Sequence, residues 1–240
     1  MSWATHDLEP YVIQRKLGVT VAIIPLLLGS YSPDILSKWF VYGIDVFGAH
    51  LEAGDPAQFH RGWPGVGFTH SLFFGALAGL VIYALTRSKV WGVSFMIGNW
   101  AHDISDIGDT MGTMLFFPLS TELISIDAWA YAGQTGRLTD AAAYHSGLGF
   151  VWDAFWLVCA LLCWRVLKAD YFHSVIVPAD PVWQRLERRL PEAALLALYR
   201  AMFFYGFARL TAWLLWAHVL NDYPFDLSWG GPYWVEAAGR

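Results

Sequence analysis

Five apolar runs, each long enough or nearly long enough to cross a bilayer as a helix, punctuate this chain. They cover residues 17–36, 70–86, 90–107, 146–166 and 195–220, against a requirement of about 20 helical residues per crossing. A tight basic turn (Arg87-Ser88-Lys89) joins the second run to the third. Only 15% of the 240 residues are charged, where a soluble domain carries about 25%, so polar groups are too scarce to keep a whole surface wet. A soluble helical protein with an unusually apolar core is the competing reading. The pattern predicts an all-α, polytopic helical membrane protein: one integral domain over residues 1–240 with five transmembrane helices.

Basic residues set the orientation. With the N-terminus inside, ten of the fifteen Lys and Arg fall on internal segments or at their edges, four (Lys38, Arg61, Arg137 and Arg240) on external ones, and Arg209 within a span. The positive-inside rule then places the N-terminus in and the C-terminus out. Tryptophan or tyrosine near most span ends fits an aromatic belt. Arg15 and Lys16 ahead of the first run resemble a secretory signal, but with Met1 retained the run is read as uncleaved. Cys159 and Cys163, four apart in an apolar span, read as packing residues. A net charge of −5 without a basic stripe argues against a nucleic-acid partner.

This orientation gathers the chemically capable side chains on one side. Asp34 lies at the outer end of span one, His60 and Arg61 in the outer loop, and His70 at the outer start of span two. Asn99, His102, Asp106 and Asp109 approach the outer end of span three, and His218 and Asp222 end span five.

The third span carries the sharpest signal, "NWAHDISDIGDTMG" over residues 99–112. Asn99, His102, Asp106 and Asp109 are spaced three, four and three apart, one polar stripe on a helix, while Asp103 points about 100° away. A His and an Asp one turn apart can bind one metal ion, and a further carboxylate can bind a second or orient the imidazole. Ionisable groups at membrane depth are costly and face the protein interior; a hydrogen-bonded seam locking helices together is the plainer reading of the same stripe. Thr69 and Ser71 flank His70 as helix caps, and Arg61 suits a phosphate or carboxylate, or a lipid headgroup. His218 and Asp222 repeat the His–Asp spacing, either completing the site or ending a helix in solvent. His145 is a weaker site candidate, or a cap. Asp153 and Arg209, at comparable depths, predict a buried ion pair.

The three motifs "LGSYSPD", "HRG…FTHSL" and "HDISDIGDTMGTMLFFPLS", in this order, resemble the membrane-bound, metal-dependent hydrolases, the family of LexA-regulated, YdjM-like inner-membrane proteins. The resemblance covers roughly residues 17–120, with residues 121–240 adding helices and outer segments. It implies roles for Asp34, His60, Arg61, His70, His102 and Asp106. Two departures stand out: residues 63–67 separate "HRG" from "FTHS", and Asp109 stands where the family has Thr.

The reading that follows is a hydrolase of zinc type in the inner (cytoplasmic) membrane, its site facing outside. Its metal ligands are His70, His102 and Asp106, with Asp34 and His60 assisting; Asp109 or Asp34 serves as general base, and Arg61 stabilises developing charge. The cofactor is one or two divalent metal ions, with zinc the first choice. Membrane lipids surround it, and a phosphoester of a lipid or envelope molecule is its substrate. The rival is a non-catalytic subunit or assembly factor of a larger membrane complex, using the outer segments 121–145 and 223–240 as contact surface. A transporter is a third option, without the paired broken helices or internal repeat that mark many of them.

Overall fold

The computed structural model describes residues 3–17, 20–130 and 137–231. Gly18 and Val19 of the first run, the middle of segment 121–145, the end of segment 223–240, and Met1 lie outside the described residues. The protein is mostly helical. Helix α1 (Trp3–Lys16) is followed by α2 (Ile23–Ile35), a short α3 (Lys38–Val41), and a hairpin of β1 (Ile44–Val46) with β2 (Ala49–Leu51). Then come α4 (Pro56–Arg61), α5 (Leu72–Thr86), α6 (Lys89–Asp106), α7 (Arg137–Ser146) and α8 (Leu148–Leu162). The short turns α9 (Ala169–Tyr171) and α10 (Val177–Ala179) lead through α11 (Pro181–Glu187) into the long α12 (Glu192–Leu215).

Local chemistry explains several boundaries. Asp55 caps α4 by accepting from the Gln58 N–H, with Pro56 in the first turn, where its missing N–H costs nothing. Ser71 caps α5 and Ser88 caps α6 by the same device. Arg87 between them closes α5 in the left-handed conformation, with φ of 59°. Two residues therefore suffice to reverse the chain.

The first helix is the main departure from the sequence reading. The topology read from the sequence leaves residues 1–16 as an internal segment ahead of the first span. Instead α1 packs against α2, α8 and α12, and Thr5, His6, Asp7, Glu9 and Gln14 are all buried. Its apolar side, Leu8, Tyr11 and Val12, joins the largest core with Phe172, Trp183, Tyr199 and Phe203. Its polar side is satisfied from other helices. Arg209 donates to Asp7 at 2.9 Å, while Thr5 donates to Asp153 at 2.5 Å and Tyr144 to the same oxygen at 2.7 Å. The expected Asp153–Arg209 ion pair is thereby replaced: each found a partner on or beside α1. Cys159 and Cys163 are free thiols in the core, as packing residues should be.

Helices α1 and α2 run antiparallel. His6 and Glu9 meet Ser30 near the end of α2, and the start of α2 is pinned far from there by Ser94 and Asp180. Beside it, α2 and α6 touch backbone to backbone. A Cβ added to Gly29 would lie 2.1 Å from the Phe95 carbonyl oxygen, and one added to Gly98 would lie 2.0 Å from that of Leu26. Small residues at such crossings let membrane helices approach closely.

Among the described residues one helix is long and apolar enough to cross a membrane, Glu192–Leu220, comprising α12 and its continuation. Arg137–Ser146 and Leu148–Leu162 pass together as a second, bent by 70° at their junction. Of the remaining expected spans, α5 is apolar but has 15 residues, α2 has 13, and α6 spends much of its 18 on buried polar side chains. Outward faces stay apolar all the same: Leu80 and Leu85 on α5, Val158 and Leu162 on α8, and Phe204 on α12 are exposed. Contiguous apolar surface of this kind marks contact with a membrane or partner.

Candidate metal centre

Four elements converge on one buried point. The last turn of α2 supplies Asp34, and α4 supplies His60 and Arg61. The turn before α5 supplies His70, and the last turn and a half of α6 supplies His102 and Asp106. The close α2–α6 crossing brings Asp34 beside the His102–Asp106 pair. Ligand atoms of Asp34, His70, His102 and Asp106 all lie within 4.8 Å of one another, and all four residues are buried. His102 Nε2 is 3.0 Å from Asp106 Oδ2, and His70 Nε2 is 3.9 Å from both carboxylates.

Residues 63–67, which separate "HRG" from "FTHS", do not pull the site apart. The segment folds back on itself, with Val66 N–H donating to the Phe59 carbonyl and Gly67 N–H to that of Gly62. A Cβ on Gly67 would fall 2.1 Å from the Arg61 carbonyl oxygen, so glycine is required there. His60 and His70 consequently meet edge to face, centroids 4.7 Å apart.

Hydrogen bonds fix the imidazole tautomers. His102 Nδ1 lies 2.7 Å from the Ser30 carbonyl, which can only accept, so Nδ1 carries the proton. Thr69 donates to the Val66 carbonyl and so accepts from His70 Nδ1 at 3.3 Å. Ser37 donates to the Pro33 carbonyl and accepts from His60 Nδ1. In all three rings Nε2 is left with its lone pair. Those of His70 and His102 are buried and make no hydrogen bond. A bare imidazole nitrogen held by an outer partner is the form that ligates metal. His60 stands just outside the set of four, its Nε2 3.4 Å from Asp34 Oδ1. Burial, with the charges of Lys38 and Arg61 beside it, pushes its pKa down to about 3.

Two nitrogens and two carboxylate oxygens, buried together, fit a first-row divalent cation. The set could hold a metal ion.

Arg61 and Asp109 behave differently from the stripe reading. Helix α6 ends at Asp106, so Asp109 belongs to the following turn, where its Oδ1 accepts from the Met111 and Gly112 N–H groups. Its Oδ2 and that of Asp106 both receive Arg61 Nη2, at 2.8 and 2.5 Å. Asp109 thus anchors the arginine. Asn99 donates to the Thr69 carbonyl and steadies the loop carrying His70. His218 lies elsewhere, between the carbonyls of His145 and Tyr223, and Asp222 is exposed. Both end a helix and take no part in the cluster.

Three participants escaped the sequence reading: His6 stacks on His102, and Glu9 and Ser30 hold His6. Asp103, read as off the stripe, is fully buried with neither carboxylate oxygen hydrogen-bonded. The available signal was a His and a Glu three apart ahead of the first apolar run.

A cavity of about 490 Å³ opens beside the cluster and reaches it through Arg61 and Asp109. Lys38, Tyr42, Trp129, Asp140 and Arg209 are among its walls.

A family model described as "YdjM inner membrane protein" matches residues 8–172, beginning within α1 and extending well past the three motifs. Neither a curated protein nor a solved structure matches the chain.

Proposed function

Since the chain belongs to the YdjM inner membrane protein family, we propose that it is a metal-dependent phosphoester hydrolase of the membrane, with zinc as the metal and its site on the outer face. The observation that carries this reading is the pair of bare, buried Nε2 atoms of His70 and His102 converging with Asp34 and Asp106. A bound divalent cation supplies Lewis acidity to a phosphoryl oxygen and acidifies water toward a pKa of about 7.

The chain's own groups divide the remaining work. Asp34, whose Oδ1 faces the Nε2 atoms of all three histidines at 3.4 to 3.9 Å, receives the proton of the attacking water. Water oxygen bonds to phosphorus, the phosphorus–oxygen bond to the alcohol breaks, and one water proton ends on the departing alcohol while the other stays with the phosphate. Arg61, fixed by Asp106 and Asp109 at the cavity wall, faces the charge that grows on the phosphoryl oxygens. Because Asp109 is committed to Arg61 and two turn N–H groups, its part is to position the arginine.

Detergent-purified protein is expected to contain stoichiometric divalent metal and to cleave an aryl phosphodiester, with both properties lost in Asp106→Ala. Wild-type protein that carries no metal overturns the reading. Co-purification with a stoichiometric protein partner and no metal would support the subunit reading instead; the exposed apolar side chains of Leu119, Ile126 and Trp229, outside the helices, favour that reading.

A further inference from the structure

Helix α12 carries a stripe that the metal centre does not use. Leu198, Met202, Tyr205 and Arg209 are spaced four, three and four apart, so they share one face. Leu27 and Tyr31, one turn apart on α2, stand across from it, and the space between is a groove of about 400 Å³. Leu198 and Tyr205 are 44% and 59% exposed, so the described residues leave this groove open.

Polar groups gather at one end of it. Asp7 accepts from Arg209 Nη1 at 2.9 Å and from the Tyr31 hydroxyl, and Arg209 donates to that hydroxyl as well, at 3.1 Å. The guanidinium also stands over the Tyr205 ring, 5.2 Å from its centroid. Further along, Leu27, Leu198, Ala201 and Met202 offer a guest no hydrogen-bonding side chain. A guest is therefore apolar over most of its length and meets a cation at one end, since a polar stretch in the apolar part would go unanswered.

Both walls lead to the cluster. Asp34 follows Tyr31 by three residues on α2, and Trp213 follows Arg209 by four on α12. Arg209 and Trp213 line the cavity that reaches Arg61 and Asp109, so Arg209 borders both spaces. The occupant follows from size and setting. With its continuation, α12 is long and apolar enough to cross a membrane, which brings its open face against lipid chains. Leu198 to Tyr205 covers about 10 Å of helix, and a partner helix about 10–12 Å across would need roughly twice the groove's volume over that length. A hydrocarbon chain is thinner. We propose that the α2–α12 groove binds the hydrocarbon chain of a lipid whose phosphate reaches the cluster through the cavity, which makes the substrate a lipid phosphoester.

This inference rests on the hydrolase reading for the fate of the phosphate, but binding tests it separately. The probe is hexadecylphosphonate with a mid-chain diazirine, whose carbon–phosphorus bond resists hydrolysis, added to protein in dodecyl maltoside. After illumination, mass spectrometry should find the label on residues 27–31 and 198–205. Unlabelled hexadecylphosphonate should compete, and ethylphosphonate and hexadecyltrimethylammonium should not. Ala201→Phe, which fills the groove, should cut the labelling about tenfold, what displacing two buried methylenes is worth. Leu80→Phe, on the exposed face of α5, should leave it unchanged. Label spread evenly over every exposed apolar face of the wild type, or equal competition by the trimethylammonium compound, overturns the site whether or not the variants fold. Crosslinking of this groove to a stoichiometric protein partner overturns it too. Groove labelling in protein that holds no metal and cleaves no phosphodiester keeps the lipid site and removes the hydrolase reading. Metal and activity with evenly spread label do the reverse.

Discussion

The ring of His6 lies flat on the ring of His102, with centroids 4.2 Å apart and planes 11° from parallel. Ser30 serves both: its carbonyl receives His102 Nδ1–H, and its hydroxyl donates to Glu9 while accepting from His6 Nδ1. One residue of α2 therefore orients two imidazoles from two other helices.

If this arrangement holds His102 in its ligating pose, His6→Ala should weaken metal binding about 10- to 100-fold, the usual cost of losing an outer partner. His6→Phe restores a stacking surface and should recover most of the loss. Competition with a chromogenic chelator reads both. Unchanged affinity in His6→Ala would show that α1 only packs there.

Arg61→Lys keeps the charge but replaces the guanidinium, whose Nη2 reaches Asp106 and Asp109 together, with a shorter, more strongly hydrated ammonium. We expect phosphodiesterase kcat to fall about 100-fold or more. Arg61→Ala should in addition destabilise the fold by about 3–5 kcal/mol, because it strands two buried carboxylates. Thermal unfolding separates the two variants, and equal melting temperatures would contradict the account.

Gly98→Ala places a methyl group against the α2 backbone, with no flexible side chain to yield. Overpacking of this kind costs about 1–3 kcal/mol, and here it should also lower metal affinity by moving Asp34 away from His102. A destabilised variant with unaltered metal affinity would dissociate the crossing from the site.

Metal removal should lower stability by mass action. At a free metal concentration 100 times Kd the bound ion contributes about 2.7 kcal/mol, so a chelator should depress the melting temperature of the wild type and leave Asp106→Ala unaffected. An equal depression in both would mean that the ion binds elsewhere.

The pH dependence of metal-free protein has a definite sign. His60 titrates near 6.5 when unfolded and at about 3 when folded, so the unfolded chain binds the extra proton in between. Its contribution is complete above pH 6.5 and disappears as pH falls toward 3, with a slope of about 1.4 kcal/mol per pH unit for one proton. His60→Asn should flatten the acid limb of the unfolding profile by that one proton. Parallel profiles for the two proteins would refute the assignment.

Much of the centre was legible beforehand because its chemistry lies in short motifs. Asp34, His70, His102 and Asp106 were all named from spacing and polarity within apolar runs, and the structure brings those four together. What misled was length. The stripe extended one turn too far, to Asp109, because spacing alone does not reveal that α6 stops at Asp106. Five spans were expected from hydropathy averaged over a window; among the described residues one helix and one bent pair are long and apolar enough to cross a membrane. The role of α1 was hidden for the opposite reason: its polar residues look solvated until partners from Ser30, His102, Asp153 and Arg209 are placed beside them.

Those partners also set how much of the chain must be made before the contacts of α1 can form. Asp7 waits for Arg209, 202 positions later, and Thr5 waits for Asp153, 148 positions later. The polar side chains of α1 are thus answered at different times in synthesis: His6 and Glu9 by Ser30 on the next helix, Thr5 and Asp7 only by much later residues. Until α12 emerges, α1 lacks both the Arg209 contact and its packing against Tyr199 and Phe203. A chain truncated before Arg209 would retain all three motifs and still lack the cation that answers Asp7.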